Sequence, residues 1–254
     1  MSSRDTGLTL MIGILAAIVG YILWQLTIGL DTKVTDISTI LSNSASGATI
    51  ITISTILISV GLVVHAAGLI STRGTASGTW ETLGIISVVA AIAIWVTTSG
   101  LGIALVKMGE QFVAASTGAA QAAAAAQAAA AAGNAAGAAE AGAAAQGAVA
   151  AATSIGIAAG FTQATSVASS TIGSLLAGIG WICIGVAYRG SDAKGALSFI
   201  PLGWLALLAG LILVVANLVI NQVVSTELGS QISGIAFLLI VLWSVLRGIA
   251  LIRE

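Results

Sequence analysis

Apolar residues fill six long runs of this chain: Gly7 to Leu30, Ala48 to Ile70, Leu83 to Val106, Thr171 to Tyr188, Leu197 to Ile220 and Ile232 to Ile252. Each is long enough to cross ~30 Å of hydrocarbon as a helix of about twenty residues. Between the third and the fourth, from Ala114 to Gly160, the chain is little but alanine, glycine and a few glutamines, with a single charged side chain, Glu140. The pattern predicts an all-α fold: a polytopic integral membrane helical bundle with six transmembrane helices, or eight if the alanine-rich segment also enters the bilayer. It divides the chain into a first three-helix set at 1–107, an Ala/Gly-rich helical hairpin at 108–170 and a second three-helix set at 171–254.

The alanine-rich segment follows the third run through Val106, Lys107, Met108, Gly109, Glu110, Gln111 and Phe112 without a proline or a strong turn signal. Alanine has the highest helix propensity, so the third helix is expected to continue past the membrane. Gly133-Asn134 is the clearest break, and a return arm from about Ala135 through Ala168 leads into the fourth run. Each arm would reach on the order of 30 to 50 Å. Alanine-lined helices approach closely, but at ~25 cal/mol per Å² so little buried area stabilises a lone hairpin weakly. Three readings compete: a projecting hairpin packed against other copies or subunits, a mobile low-complexity linker, and arms that re-enter the membrane as two further spans. Gln121, Gln127, Glu140, Gln146 and Gln163 are too sparse for a continuous polar face. Protein, rather than water, is expected to cover much of this surface.

Composition changes the picture by excluding a soluble domain: of 254 residues 58% are hydrophobic and 7% charged, against about 25% charged in ordinary soluble domains. The first run starts after one basic residue, Arg4, and outlasts a usual signal h-region without a small-residue cleavage site, which argues against a removable signal. Basic residues favour the cytoplasmic side of short loops. With both termini cytoplasmic, or interior, Arg4, Arg73, Arg189, Lys194, Arg247 and Arg253 fall inside and only Lys33 and Lys107 outside. The loops Asp31 to Gly47 and Asn221 to Gln231, and the alanine-rich segment, then lie outside. A formal net charge of −1 and scattered cations leave no evident nucleic-acid-binding patch.

Arg-Gly pairs close the even-numbered runs: Arg73-Gly74, Arg189-Gly190 and Arg247-Gly248. They read as cytoplasmic helix-end anchors, the arginine capping the last carbonyls and snorkelling, the glycine supplying a left-handed turn. The recurrence also admits a threefold repeat of helical hairpins. Gly13, Ala16, Ala17 and Gly20, and Gly173, Ala177, Gly180 and Gly185, form faces for close helix approach. Trp24, Trp80, Trp181, Trp204 and Trp243, with Tyr21 and Tyr188, read as interfacial anchors.

Candidate chemistry is sparse. One histidine and one cysteine leave no catalytic residues, cofactor or metal site to assign, since multi-His haem or zinc sites and internal disulfides are impossible in one chain. Cys183 reads as a small buried hydrophobe. His65 is a candidate intramembrane polar site: either a neutral imidazole bonded to a neighbouring helix, or a ligand or proton relay. Glu81 and Glu110 are placed at opposite interfaces as helix-end residues in contact with water. Gln25, Thr52, Thr55, Thr97, Thr98, Ser99, Asn217 and Asn221 form a candidate polar vestibule, or else bond between helices. The expected function is non-enzymatic: a structural or scaffold subunit of an oligomeric membrane assembly, cellular or viral. Its partners are the lipid bilayer and, through the alanine-rich segment, further copies or other membrane subunits. The alternative is a channel or translocation subunit lining a path for solute or polymer.

Overall fold

The computed structural model describes residues 2–76, 78–191, 195–197 and 199–254. Among them every regular element is helical: α1 Ser3–Ile28, α2 Ile37–Ser46, α3 Ala48–Ser71, α4 Thr79–Ala131, α5 Ala135–Arg189, α6 Leu202–Val215, a π-helical turn Ala216–Ile220, α7 Asn221–Val223 and α8 Thr226–Arg253. Six helical stretches, the sixth made of α8 and the fifth of α6 through α7, are long and apolar enough to cross a membrane. The chain is a multi-pass helical membrane protein. Lys194 lies outside the described residues.

Local chemistry sets the ends of these helices. Ser2 caps α1, its hydroxyl accepting from the Asp5 N–H at 3.1 Å. Gly133 takes φ +73, the Asn134 N–H bonds back to the Ala129 carbonyl, and the Asn134 side chain accepts from the Gly137 N–H at 3.0 Å. Two residues thus stop α4 and start α5, as a Schellman turn and an N-cap do. Ser225 begins α8 by accepting from the Leu228 N–H.

Two stretches expected to be loops are largely helical. Within Asp31 to Gly47, Asp36 caps α2, and Ile37, Ile40 and Leu41 turn one apolar face inward. Within Asn221 to Gln231, only Val224 and Ser225 interrupt helix. The Arg-Gly pairs also diverge. Gly74 is left-handed at φ +94 while Gly190 and Gly248 are not, and α8 runs through Arg247-Gly248 to Arg253. Gly248 serves close packing instead: a Cβ there would lie 2.9 Å from the Gly7 carbonyl.

Contacts group the chain into two units. The first comprises Met1–Ile22, Ile53–Gly100 and Val167–Glu254, so residues from both expected three-helix sets share one core, from Leu10 and Ile14 to Trp243 and Leu246. Glycines let its backbones touch: a Cβ on Gly84 would sit 2.8 Å from the Gly180 carbonyl, and one on Gly61 2.6 Å from the Ala17 nitrogen. The outer faces are aliphatic too, with Ile12, Leu15, Val19 and Ile22 exposed on α1 and Ile53, Ile56, Val60 and Val63 on α3. Such helices, apolar all round, suit lipid and not water.

The second unit comprises Leu23–Thr52 and Leu101–Ser166. Its core gathers Ile28, Ile40, Leu41, Ile51, Leu105, Val106 and Ala159, with Phe112 and Ile155 packed against them. Gly109 lets α4 approach α2 where a side chain would strike the Leu41 carbonyl. Asn43 ties the start of the unit together, donating to the Ile28 carbonyl at 2.7 Å.

Candidate functional site

Above that core the second unit is an antiparallel alanine hairpin. Half-buried positions recur at Phe112, Ala115, Ala119, Ala122, Ala126 and Ala129 on α4, and at Ala138, Ala141, Ala145, Ala148, Ala152 and Ile155 on α5. The steps alternate between four and three residues, the spacing of a coiled-coil seam. Alanine at the seam brings the helices close but leaves the rest of each surface open. From Val113 to Ala158 no residue is buried, and only Glu140 in that range is charged.

At the base of the hairpin, Asp36 orders α2 with three hydrogen bonds. Its carboxylate accepts from the Thr39 hydroxyl at 2.8 Å, the Ser38 hydroxyl at 3.0 Å and the Thr39 N–H at 3.2 Å. These bonds, those from Thr39 foremost, hold the Asp36 carboxyl below its ordinary value of 3.8. Lys107 and Glu110 form an exposed ion pair at 2.9 Å, one turn apart on α4.

The first unit holds a buried polar cluster that the sequence reading misplaced. Glu81, expected in contact with water, is 1% exposed. Its carboxylate accepts from the Gly74 N–H at 2.6 Å, the Ala76 N–H at 3.0 Å and the Thr75 hydroxyl at 3.4 Å. The Thr75 hydroxyl shares a 2.8 Å hydrogen bond with the Tyr188 phenol. Tyr188 and Trp181 both pack edge-on against Trp243, at 5.4 and 5.0 Å between ring centres. All three rings are buried, so they are core residues and not the expected interfacial anchors; depth along a helix does not fix which face a ring occupies. Trp80 and Trp204 do remain exposed.

The three expected arginine anchors have three different settings. Arg73 is exposed and, with Gly74, Gly78, Thr79, Glu81 and Thr82, lines a pocket of about 500 Å³. Arg189 lies 4.2 Å over the Trp204 ring, a cation–π contact. Arg247 does not snorkel: its side chain is 2% exposed and pairs with Glu254 at 3.0 Å. Chemically, the Glu81 carboxylate, at the third position of α4, reaches back to the connector between α3 and α4 and accepts from the Gly74 and Ala76 N–H groups, which precede that helix.

His65 is 2% exposed, and its Nδ1 is 3.1 Å from the Leu10 carbonyl oxygen. A carbonyl only accepts, so Nδ1 carries a proton; among the described residues Nε2 has no hydrogen-bond partner. The candidate vestibule residues fall in both units. Gln25 and Thr52 belong to the second unit, the others to the first. Thr52, Thr97, Thr98 and Ser99 donate to carbonyls one turn back on their own helices, and Thr55 is buried. Asn217 and Asn221 do come together: Asn217 donates to the Leu213 carbonyl and to the Ser233 hydroxyl, and Asn221 donates to the Asn217 side-chain oxygen. The π-turn that carries Asn217 places this ladder against α8 at Ser233 and Gly229. Among the described residues no three His, Cys, Asp or Glu side chains gather as a metal site requires.

Comparisons with protein families, with curated proteins and with solved structures find no match to this chain. Sequence reasoning misses the burial of Glu81 and the part Ser233 plays beside Asn217. The one legible signal for the Glu81 cluster is a glutamate at the third position of a helix, which can reach back to N–H groups before the helix as in a capping box.

Proposed function

We propose that this protein is a non-enzymatic structural subunit of an oligomeric membrane assembly, and that its alanine hairpin makes the lateral contacts. The observation that carries this reading is the open surface of the hairpin: no buried residue from Val113 to Ala158 and one charge. Such a surface has too little charge to be held apart from its neighbours by solvation and too little self-contact to be complete alone. At 1.5 Å per residue, α4 and α5 each run about 80 Å, more than twice the hydrocarbon thickness of a bilayer. The excess is the hairpin, extending from the outer face, with both termini on the inner side.

Deleting Ala114 to Ala152 is expected to reduce the native mass of the assembly; an unchanged mass rejects the hairpin as the contact. Cysteines at Ala126 and Ala143 are expected to react with a membrane-impermeant maleimide from outside intact cells. If both are sealed, the arms are buried or the topology is inverted.

The second reading, a channel or translocation subunit, would draw its polar lining from Asn221, which is only half-buried, and from the adjoining Asn217. A conductance in reconstituted protein that changes with Asn217→Leu would support it over the scaffold.

A further inference from the structure

One side of the hairpin carries a recess. Beside α2, a groove of about 420 Å³ is lined by small residues, among them Ser116, Ala119, Ala152 and Gly156, and by Phe112 and Val149. Val149 is the only aliphatic side chain larger than alanine between Ala114 and Ser154, and it is 55% exposed. A lone exposed valine is ordinary on a protein surface; this one stands at a recess whose hairpin walls are mostly small, Ser116, Ala119, Ala152 and Gly156, and whose larger walls, Phe112 with Ile37 and Leu41 of α2, are apolar as well. A surface with both a projection and a matching recess can pair with itself about a twofold axis.

Charge and area point the same way. At 100° per residue, Glu140 lies half a turn round the helix from Val149, and Gln121 half a turn round from Phe112. Gln127 and Gln146 fall at the edges of the groove face, where rim hydrogen bonds form. The arm segments beyond the base are about 28 Å long. Two adjacent helices, each about 10 Å across, then present on the order of 600 Å² per copy, so that a pair of copies buries about 1,200 Å², the lower bound for a specific, stable interface.

We propose that this groove face is the contact between two copies of the chain, each Val149 entering the recess of the other. The proposal rests on the hairpin being the lateral contact, and adds the face and the partner. The test uses the full chain in native membranes, in a Cys183→Ala background. Two differently tagged copies are coexpressed, one carrying Val149→Cys and the other Ala119→Cys, and treated with a short bismaleimide. A cross-linked pair bearing both tags is expected, and Val149→Glu is expected to weaken dimerisation at least tenfold while Val149→Ile retains it. If the dimer survives Val149→Glu and no mixed pair forms, yet deleting Ala114 to Ala152 dissociates it, the hairpin reading stands and this face is wrong. A stoichiometric complex with a different protein that Val149→Glu disrupts rejects the second copy as occupant. A wild-type chain that is monomeric at every concentration in the membrane overturns both readings.

Discussion

Glu81 supplies acceptors for two backbone N–H groups of the connector before α4. Glu81→Ala is expected to cost about 3 kcal/mol, because buried donors left without partners carry the full desolvation penalty; thermal unfolding in detergent measures it. Glycines offer a contrast at the same scale. Gly61→Ala would drive a methyl group into the α1 backbone and is expected to destabilise by about 1–3 kcal/mol, the usual cost of overpacking. Gly100→Ala meets nothing within 4 Å and is expected to leave stability unchanged or raise it by up to about 1 kcal/mol through helix propensity. Residues of this kind were the least legible in the sequence. An apolar run tells how deep a side chain sits but not which way it faces, so Trp181, Trp243 and Arg247 were read as boundary residues although they are buried.

The helices were far more legible, since run length, Gly133-Asn134 and the absence of proline dictate α4 and α5 directly. α2 was readable too, from Asp36 followed by Ile37, Ile40 and Leu41 at helical spacing, but its ten residues fall below the length of a span. Its stability is linked to pH through Asp36. The carboxyl is held below its ordinary value in the folded state, so its contribution is present above that value and is lost as pH falls through the lowered one. Protection of the Thr39 amide, after correction for the intrinsic pH dependence of exchange, is therefore expected to fall below about pH 4, and Asp36→Ala is expected to lower that protection at neutral pH and remove its further loss in acid. The π-turn had no signal in the sequence. It is expected to depend on the Asn217–Ser233 bond, and Ser233→Ala should cost about 0.6 kcal/mol, the average for such pairs between membrane helices.

For the molecule as a whole, the expected sidedness follows from six basic residues against two across the short loops. Reporter tags on the two termini should both read as cytoplasmic, and a tag at Gly133 as external; opposite results at the termini would remove the even number of crossings. The division into units was only partly legible, because a linear reading groups neighbours in sequence while α4 and α5 each contribute to both units. The charge-poor hairpin has a practical consequence for any such mapping. No lysine or arginine stands between Lys107 and Arg189, so trypsin leaves the hairpin whole even when it is fully accessible. Tryptic protection therefore carries no information about where the hairpin lies. A glutamate-specific protease does: cleavage at Glu140, just past the tip, separates the two arms only when the enzyme is added on the side that the hairpin faces.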